Sequence, residues 1–161
     1  MVKKEYQKAI VTFIDILGFS NMVHSEECHS IYEKIALLNK FNNGRQLEEG
    51  GCKECYEGRN KPSSFNFSDS IVRARPIYED HENDVLNVYL GDELADEILD
   101  MGYMQIELLK YNILLRGGIS IGDIYFNDDE NIIFGNALIR AHDLESKVAR
   151  FSRIILDSEN I

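Results

Sequence analysis

Two aspartates close apolar stretches of the chain at points where the backbone is expected to turn. Asp15 lies in Phe13–Phe19 (FIDILGF), and Asp69 lies in Phe65–Val72 (FNFSDSIV). Carboxylates are hard oxygen ligands that suit Mg²⁺ or Mn²⁺, and two on neighbouring strands can hold the two ions that a nucleoside triphosphate needs for phosphoryl chemistry. Aspartate is also an ordinary turn residue. The pair therefore predicts a metal site only in combination with further motifs.

The composition restricts the classes of protein to which this chain can belong. Its 161 residues, 44% of them hydrophobic, predict a single domain over 1–161 with its own core. The formal net charge of -11 argues against a nucleic-acid partner, because phosphate-backbone affinity comes mainly from Lys and Arg. There is no apolar run of membrane-spanning length and no apolar leader after Met1, so we expect a cytoplasmic protein without a membrane partner.

Two other clusters favour structural interpretations. Cys52 and Cys55 have the spacing of half a zinc site. The sequence has no second Cys-x-x-Cys pair and no His-x-x-x-His pair to complete it, so a surface loop with free thiols is favoured. An odd number of cysteines, three, fits a reducing compartment. The acidic runs Glu79–Asp84 and Asp92–Asp100 are expected to form a solvated turn and the outer face of a helix.

The apolar periodicity predicts the element order β-α-β-β-α-β-β-α-β. The expected strands and hairpins cover 9–16, 64–77 with Asp69 at the hairpin tip, 113–121, 123–134 and 151–157. The expected helices cover 30–42, 85–111 with weak points at Gly91 and Gly102, and 136–150, while 44–62 is expected to be a surface loop. This order predicts an α+β fold, a ferredoxin-like sandwich with a largely antiparallel sheet and helices on one face.

Three later motifs complete a resemblance. They are Leu115–Gly122 (LRGGISIG), Phe134–Leu138 (FGNAL) and Ala141–Glu145 (AHDLE). Together with the two aspartate segments, and in the same order, they resemble the catalytic domain of class III nucleotidyl cyclases from Ile10 to Asp157. Within that family, the FIDILGF, SDS and RGG stretches look most like those of the bacterial pyrimidine cyclases of Pycsar anti-phage defence.

The resemblance implies a reaction and its participants. The substrate would be UTP or CTP, converted to the 3′,5′-cyclic monophosphate and pyrophosphate, and a separate effector protein would read the product. Two Mg²⁺ or Mn²⁺ ions would be held by Asp15, Asp69 and the Ile16 carbonyl. The backbone N–H groups around Gly18 and Phe19, at a helix start, could receive phosphate oxygens.

The resemblance also implies a homodimer with active sites at the interface, in which Arg140 of one chain faces the aspartates of the other. Arg140 could contact a phosphate or could be a solvated surface residue. It lies beside Ile139 and Asp143, which occupy the positions of the Asn and Arg that stabilise the transition state in purine cyclases. For Arg116, a buried ion-pair role is favoured over phosphate binding.

Two departures from purine cyclases bear on the substrate. Phe65 and Ile132 occupy the positions that usually read the purine, and neither side chain can hydrogen-bond a base edge. This favours a pyrimidine, and Phe65 could stack on the base or belong to the core. The alternatives are a non-catalytic cyclase-homology module that dimerises or senses a nucleotide, and a purine cyclase with atypical base readout.

Overall fold

The computed structural model describes residues 4–42, 61–77 and 86–160. Most of the predicted loop at 44–62, the acidic run Glu79–Asp84 and both Cys52 and Cys55 lie outside these ranges. The strands are β1 Gln7–Ile16, β2 Ser63–Phe67, β3 Ser70–Pro76, β4 Leu115–Asn127, β5 Ile132–Phe134 and β6 Ile154–Leu156. The helices are α1 Phe19–Ser25, α2 Cys28–Asn42, α3 Leu86–Leu109 and α4 Asn136–Asp143, with a π-helical turn over Leu144–Val148 and a 3₁₀ turn over Ser158–Asn160.

The strands form one largely antiparallel sheet. Its order is β2-β3-β1-β4-β5, and β6 pairs with β4 as its parallel neighbour. The apolar strand β1 lies in the middle, where both of its edges are hydrogen-bonded. The predicted α+β class and the antiparallel sheet are thus confirmed.

The helices cover both faces of the sheet, which corrects the expectation that they pack on one face. Alternate side chains of a strand point to opposite faces, and on β1 Ile10 and Ile14 join one buried cluster while Ala9 and Val11 join another. The first cluster is completed from α2 and α3 by Leu38, Met101, Met104 and Leu108, and the second from α4 by Ala137 and Ala141. A central strand that is apolar on both sides must be covered on both sides.

A buried ionic network joins α3 to the sheet. Glu97 lies under the helix and accepts hydrogen bonds from Arg73 (Nε to Oε1, 2.8 Å), Arg75 (Nη2 to Oε2, 3.0 Å) and Thr12 (Oγ1 to Oε1, 2.8 Å). Asp100 accepts from both arginines, at 2.9 and 3.0 Å. Charges out of water are tolerated only when they are paired in this way.

This network corrects part of the interpretation of the acidic run Asp92–Asp100. Glu97 has no exposed surface, so the run is not simply the solvated face of a helix. It contributes the carboxylates of Glu93, Glu97 and Asp100 to ion pairs with the two arginines of β3, and that of Glu97 is fully buried.

Other differences concern element boundaries. Helix α3 runs unbroken through Gly91 and Gly102, and β4 continues for 13 residues where two separate strands were expected. Helix α4 ends at Asp143 and changes to a π-helical turn. No helix in the described ranges has both the length and the apolar character needed to cross a bilayer.

Candidate active site

Asp15 lies near the carboxyl end of β1, on the face that α4 covers. Its neighbours in register are Ser70 on β3 and Arg116 on β4. The Ser70 hydroxyl donates to Asp15 Oδ1 (3.1 Å), and Arg116 Nη2 donates to Asp15 Oδ2 (3.1 Å). Only 15% of the Asp15 side chain is exposed. Both of its oxygens are therefore held in defined directions at the end of the sheet.

Asp69 lies at the tip of the β2–β3 hairpin, as the sequence predicts. The turn is formed by Ser68 and Asp69, with Ser68 in the left-handed conformation (φ 59°). The Ile16 N–H donates to the Asp69 carbonyl (3.3 Å), which ties the hairpin tip to the end of β1. The two aspartates predicted to act together are thus brought to the same end of two adjacent strands.

The two carboxyl groups interact directly. Burial raises the pKa of Asp69, and a hydrogen bond with the Asp15 carboxyl and the charge of that group raise it further, to about 6. Two carboxylates this close cannot both ionise without repulsion. A site of this kind favours either a shared proton or a bound cation.

Arg116 connects this pair to a third carboxylate. Its Nε lies 2.6 Å from Oε1 of Glu145, in an ion pair without the linear geometry of a hydrogen bond. Glu145 is 3% exposed and belongs to the π-helical turn after α4. Burial raises the pKa of the Glu145 carboxyl, the guanidinium of Arg116 opposes that rise, and the charge of Asp15 adds to it. Arg116 therefore makes the ion pair that the sequence favours for it, but its side chain is 29% exposed and not buried as expected.

Gly118 allows the π-helical turn to approach the sheet. A Cβ on this residue would lie 2.3 Å from the carbonyl oxygen of Ala141 and 2.6 Å from the Cβ of Leu144. No side chain fits in that space, which explains a glycine in this strand. The RGG motif thus supplies one ion-pairing residue and one contact point for the helix.

The predicted phosphate-binding turn follows β1. Gly18 adopts the left-handed conformation (φ 82°) that favours glycine, and α1 begins at Phe19. Ile16, the last residue of β1, lies between this turn and Asp15. The structure therefore places Ile16, Gly18 and Phe19 at the same strand end as the aspartates, while their contacts with metal or phosphate stay predictions.

Phe65 belongs to the core. Its side chain is 1% exposed, in the cluster beneath α4, with its ring 6.4 Å from that of Phe126 in an edge-to-face arrangement. Of the two roles left open by the sequence, base stacking and core packing, the structure favours core packing. Ile132, at the other purine-reading position, is 38% exposed on β5.

Arg140 lies in a separate cleft. Its Nε and Nη2 donate to the two oxygens of the buried Asp157 (2.8 and 3.1 Å), and Nη2 also lies 2.8 Å from Glu159. The cleft encloses about 430 Å³ and also includes Ser120 and Lys8. The cleft extends from Lys8 to Ser120, which lies opposite Val11, so its lining begins four residues from Asp15 on β1, roughly 13 Å along an extended strand. Within one chain, the structure thus does not bring Arg140 to the two aspartates.

The residues around Asp15 and Asp69 suit a magnesium or manganese ion. Their donor set is two carboxylates, whose mutual repulsion a cation would relieve. Across the described ranges no group of three or more His, Cys, Asp and Glu side chains converges on one point. Mg²⁺ accepts such a sparse protein contribution because it completes its octahedron with water and substrate phosphates.

Sequence reasoning missed the roles of Glu145 and Ser70 at this site. Glu145 closes the AHDLE motif, and its position after an apolar Leu144 was a usable signal for an inward-facing carboxylate. Ser70 follows Asp69 directly, and strand alternation places it opposite Asp15 once the hairpin is in register.

The fold is that of nucleotide cyclase catalytic domains. It is similar to the solved structure of the adenylyl cyclase CyaB from P. aeruginosa, with a TM-score of 0.62 and 16% identity over 98% of this chain and 80% of that one. It is similar as well to that of the guanylyl cyclase Cya2, with a TM-score of 0.57 and 11% identity over 97% of this chain and 77% of that one. No protein-family profile and no curated protein matches the sequence.

Proposed function

We propose that this protein is a nucleotidyl cyclase that converts a pyrimidine nucleoside triphosphate, UTP or CTP, to its 3′,5′-cyclic monophosphate. The observation that carries this proposal is the interacting carboxyl pair of Asp15 and Asp69 at one end of a sheet with the cyclase fold. Two adjacent carboxylates that repel each other until a cation binds suit the divalent ions of a metal-dependent triphosphate enzyme.

Cyclisation is an attack by the ribose 3′-OH on the α-phosphorus, with pyrophosphate as the leaving group. Bound at Asp15 and Asp69, two Mg²⁺ or Mn²⁺ ions would lower the pKa of the 3′-OH and neutralise charge on the triphosphate. Asp15 and Asp69 hold that position, with the Ile16 carbonyl as a further oxygen. The backbone around Gly18 and Phe19 supplies N–H donors to the phosphates, since a helix start offers unpaired donors.

The second half of the site would come from another copy of the chain. Arg140 lies in its own cleft, where it pairs with Asp157 and Glu159, and carries a positive charge suited to a phosphate. In a homodimer with sites at the interface, this cleft would face the aspartates of the partner. Substrate would then replace part of the pairing between Arg140 and the carboxylates of Asp157 and Glu159.

The pyrimidine preference is supported by what the chain lacks at the purine-reading positions. Phe65 is buried and Ile132 is aliphatic, so neither side chain offers a hydrogen bond to a purine edge. The further proposal of a cytoplasmic role in anti-phage defence, with cUMP or cCMP read by a separate effector, rests on the motif resemblance alone.

The test is to incubate the protein with ATP, GTP, CTP and UTP separately, each with Mn²⁺, and to identify products by mass spectrometry. We expect a cyclic monophosphate from UTP or CTP that disappears in Asp15→Ala. Asp92→Ala is a matched control, because Asp92 is an exposed aspartate on α3, which covers the sheet face opposite to Asp15 and to the cleft of Arg140. Cyclic AMP or cyclic GMP as the sole product would contradict the pyrimidine assignment.

A non-catalytic cyclase-homology module is the second candidate. The observation that favours it is that Arg140 is already engaged by two carboxylates, while Ile139 and Asp143 replace the usual transition-state pair. Nucleotide binding without any cyclic product from the four triphosphates would support this candidate over the enzyme.

A further inference from the structure

Arg116 lies between two carboxylates that belong to different elements. Its Nη2 is 3.1 Å from Asp15 Oδ2 and its Nε is 2.6 Å from Glu145 Oε1. Guanidinium has five N–H donors in a rigid fork, so it can bind both groups at once or keep one when the other is withdrawn. The predicted metal ligand therefore shares its counter-ion with a buried carboxylate outside the metal pair.

The contacts of Asp15 mean that a bound cation would compete with Arg116. Oδ1 accepts from Ser70, and Oδ2 is occupied by Arg116. A cation that binds both Asp15 and Asp69 competes with Arg116 for the charge of Asp15. How easily the cation displaces Arg116 from Asp15 depends on the other ion pair of Arg116. That ion pair is with Glu145, which is only 3% exposed.

We propose that Glu145 is a positioning residue of the metal site: it retains Arg116 beside Asp15, so that Arg116 neutralises Asp15 without a cation and yields Oδ2 when a divalent cation binds. This inference rests on the proposed metal site at Asp15 and Asp69. The net charge of the cluster sets the direction in which each substitution should change the cation affinity. Asp15 and Glu145 both contact the guanidinium of Arg116, and the Asp69 carboxyl adjoins that of Asp15, so the cluster keeps an excess of negative charge that attracts a cation.

Two substitutions should then shift metal affinity in opposite directions. In Glu145→Gln, Arg116 is left with Asp15 as its charged partner, so we expect Mn²⁺ affinity to fall roughly tenfold, as is usual when an outer group of a metal site is lost. In Arg116→Gln, the competing cation is gone, so we expect Mn²⁺ affinity to rise even if cyclase activity falls. A purely structural ion pair would lower stability in both variants without this difference in sign.

The measurement is a titration of the full chain with Mn²⁺ alone, without nucleotide, followed by the electron paramagnetic resonance signal of free Mn²⁺. Circular dichroism verifies folding, and Arg116→Lys, which keeps the charge but loses the fork, replaces Arg116→Gln if that variant does not fold; we expect weaker competition and tighter binding from it as well. Glu130→Gln makes the same charge change as Glu145→Gln at an exposed pair with Lys4 and should leave the affinity unchanged.

Failure of the inference and failure of the proposed function are distinguishable. If wild-type protein binds Mn²⁺ no better than Asp15→Asn or Asp69→Asn, the metal site itself is wrong. If wild type binds Mn²⁺ at the aspartates but Glu145→Gln and the Arg116 variants shift the affinity in the same direction, or not at all, the positioning role of Glu145 is overturned and the metal site stands.

Discussion

Asp69 is the side chain whose electrostatics support the proposed metal site most directly. Its pKa is raised to about 6, by burial and by the adjacent Asp15 carboxyl, whereas an aspartate in an unfolded chain titrates at about 3.9. Between these values the folded protein keeps a proton that the unfolded chain has released. The stability that the protonated carboxyl contributes is thus fully present below about pH 4 and is lost as the pH rises through about 6.

Asp69→Asn removes this dependence. Because asparagine stays neutral, we expect the variant to be more stable than wild type at pH 7, by about 1 kcal/mol after allowance for solvent screening. At pH 4 the two should be nearly equal. Urea denaturation at both pH values measures this, with Asp129→Asn in the exposed β4–β5 turn as the control. A larger gain at pH 4 than at pH 7 would contradict the interaction between the two carboxyls.

For single residues, the sequence predicted which aspartates lie together at the strand ends, because chemistry constrains the residue type there. It did not predict which side chains are buried, because packing between elements decides that. Asp15 and Asp69 were recognisable because each aspartate ends an apolar run at a turn. The burial of Phe65 was not, since an aromatic residue on a strand suits either a core or a ligand pocket. That choice depends on which face of the sheet α4 covers.

Helix α3 and strand β3 depend on each other through buried charge. Glu97 holds Arg73 and Arg75, whose side chains are 0% and 3% exposed. Removal of one partner from a buried ion pair leaves the other uncompensated, which typically costs 3–5 kcal/mol. We expect Glu97→Gln to lower the free energy of unfolding by about 3 kcal/mol. This is the low end of that range, because Asp100 still contacts both arginines in the variant.

Equilibrium urea denaturation tests this expectation. The matched control is Asp92→Asn, which makes the same kind of charge change at an exposed position on the same helix and should alter stability by no more than about 0.5 kcal/mol. If both variants were equally stable, the network would have no net role in holding α3 against the sheet.

The network was open to prediction from the sequence, but only from two elements considered together. Glu93, Glu97 and Asp100 recur at i, i+4 and i+7, which places them on one face of a helix. Arg73 and Arg75 alternate with small or apolar residues on a strand, so they share one face of the sheet. Each run alone looks solvated, and the burial follows only when the fold brings the two faces together.

Within one chain, the candidate site residues lie in two places, around Asp15 and Asp69 and in the cleft of Arg140. Motif order was enough to predict the antiparallel sheet and the hairpin that carries Asp69, because strand pairing follows from short connections. It was not enough to locate α4, which covers the sheet face opposite to α2 and α3. That position puts the cleft of Arg140 beside the stretch of β1 that lies roughly 13 to 23 Å from Asp15 along the strand.

This separation gives the shared-site homodimer its most direct test. Asp69→Ala and Arg140→Ala homodimers should each be inactive, since every site would lack one half. Random exchange of chains makes about half of the dimers mixed, and each mixed dimer regains one intact site, so activity should return to about a quarter of the wild-type level.

Differently tagged chains, co-expressed and purified through both tags, isolate the mixed dimers for the activity assay. The control is a mixture of Asp69→Ala with Asp15→Ala, in which both changes lie in the same half of the site, so that no mixed dimer contains an intact site. Recovery in the first mixture alone requires that Arg140 act on the aspartates of the other chain. If purified mixed dimers are as inactive as the control, Arg140 does not complete the partner's site, and its pairing with Asp157 is then a structural contact within the chain.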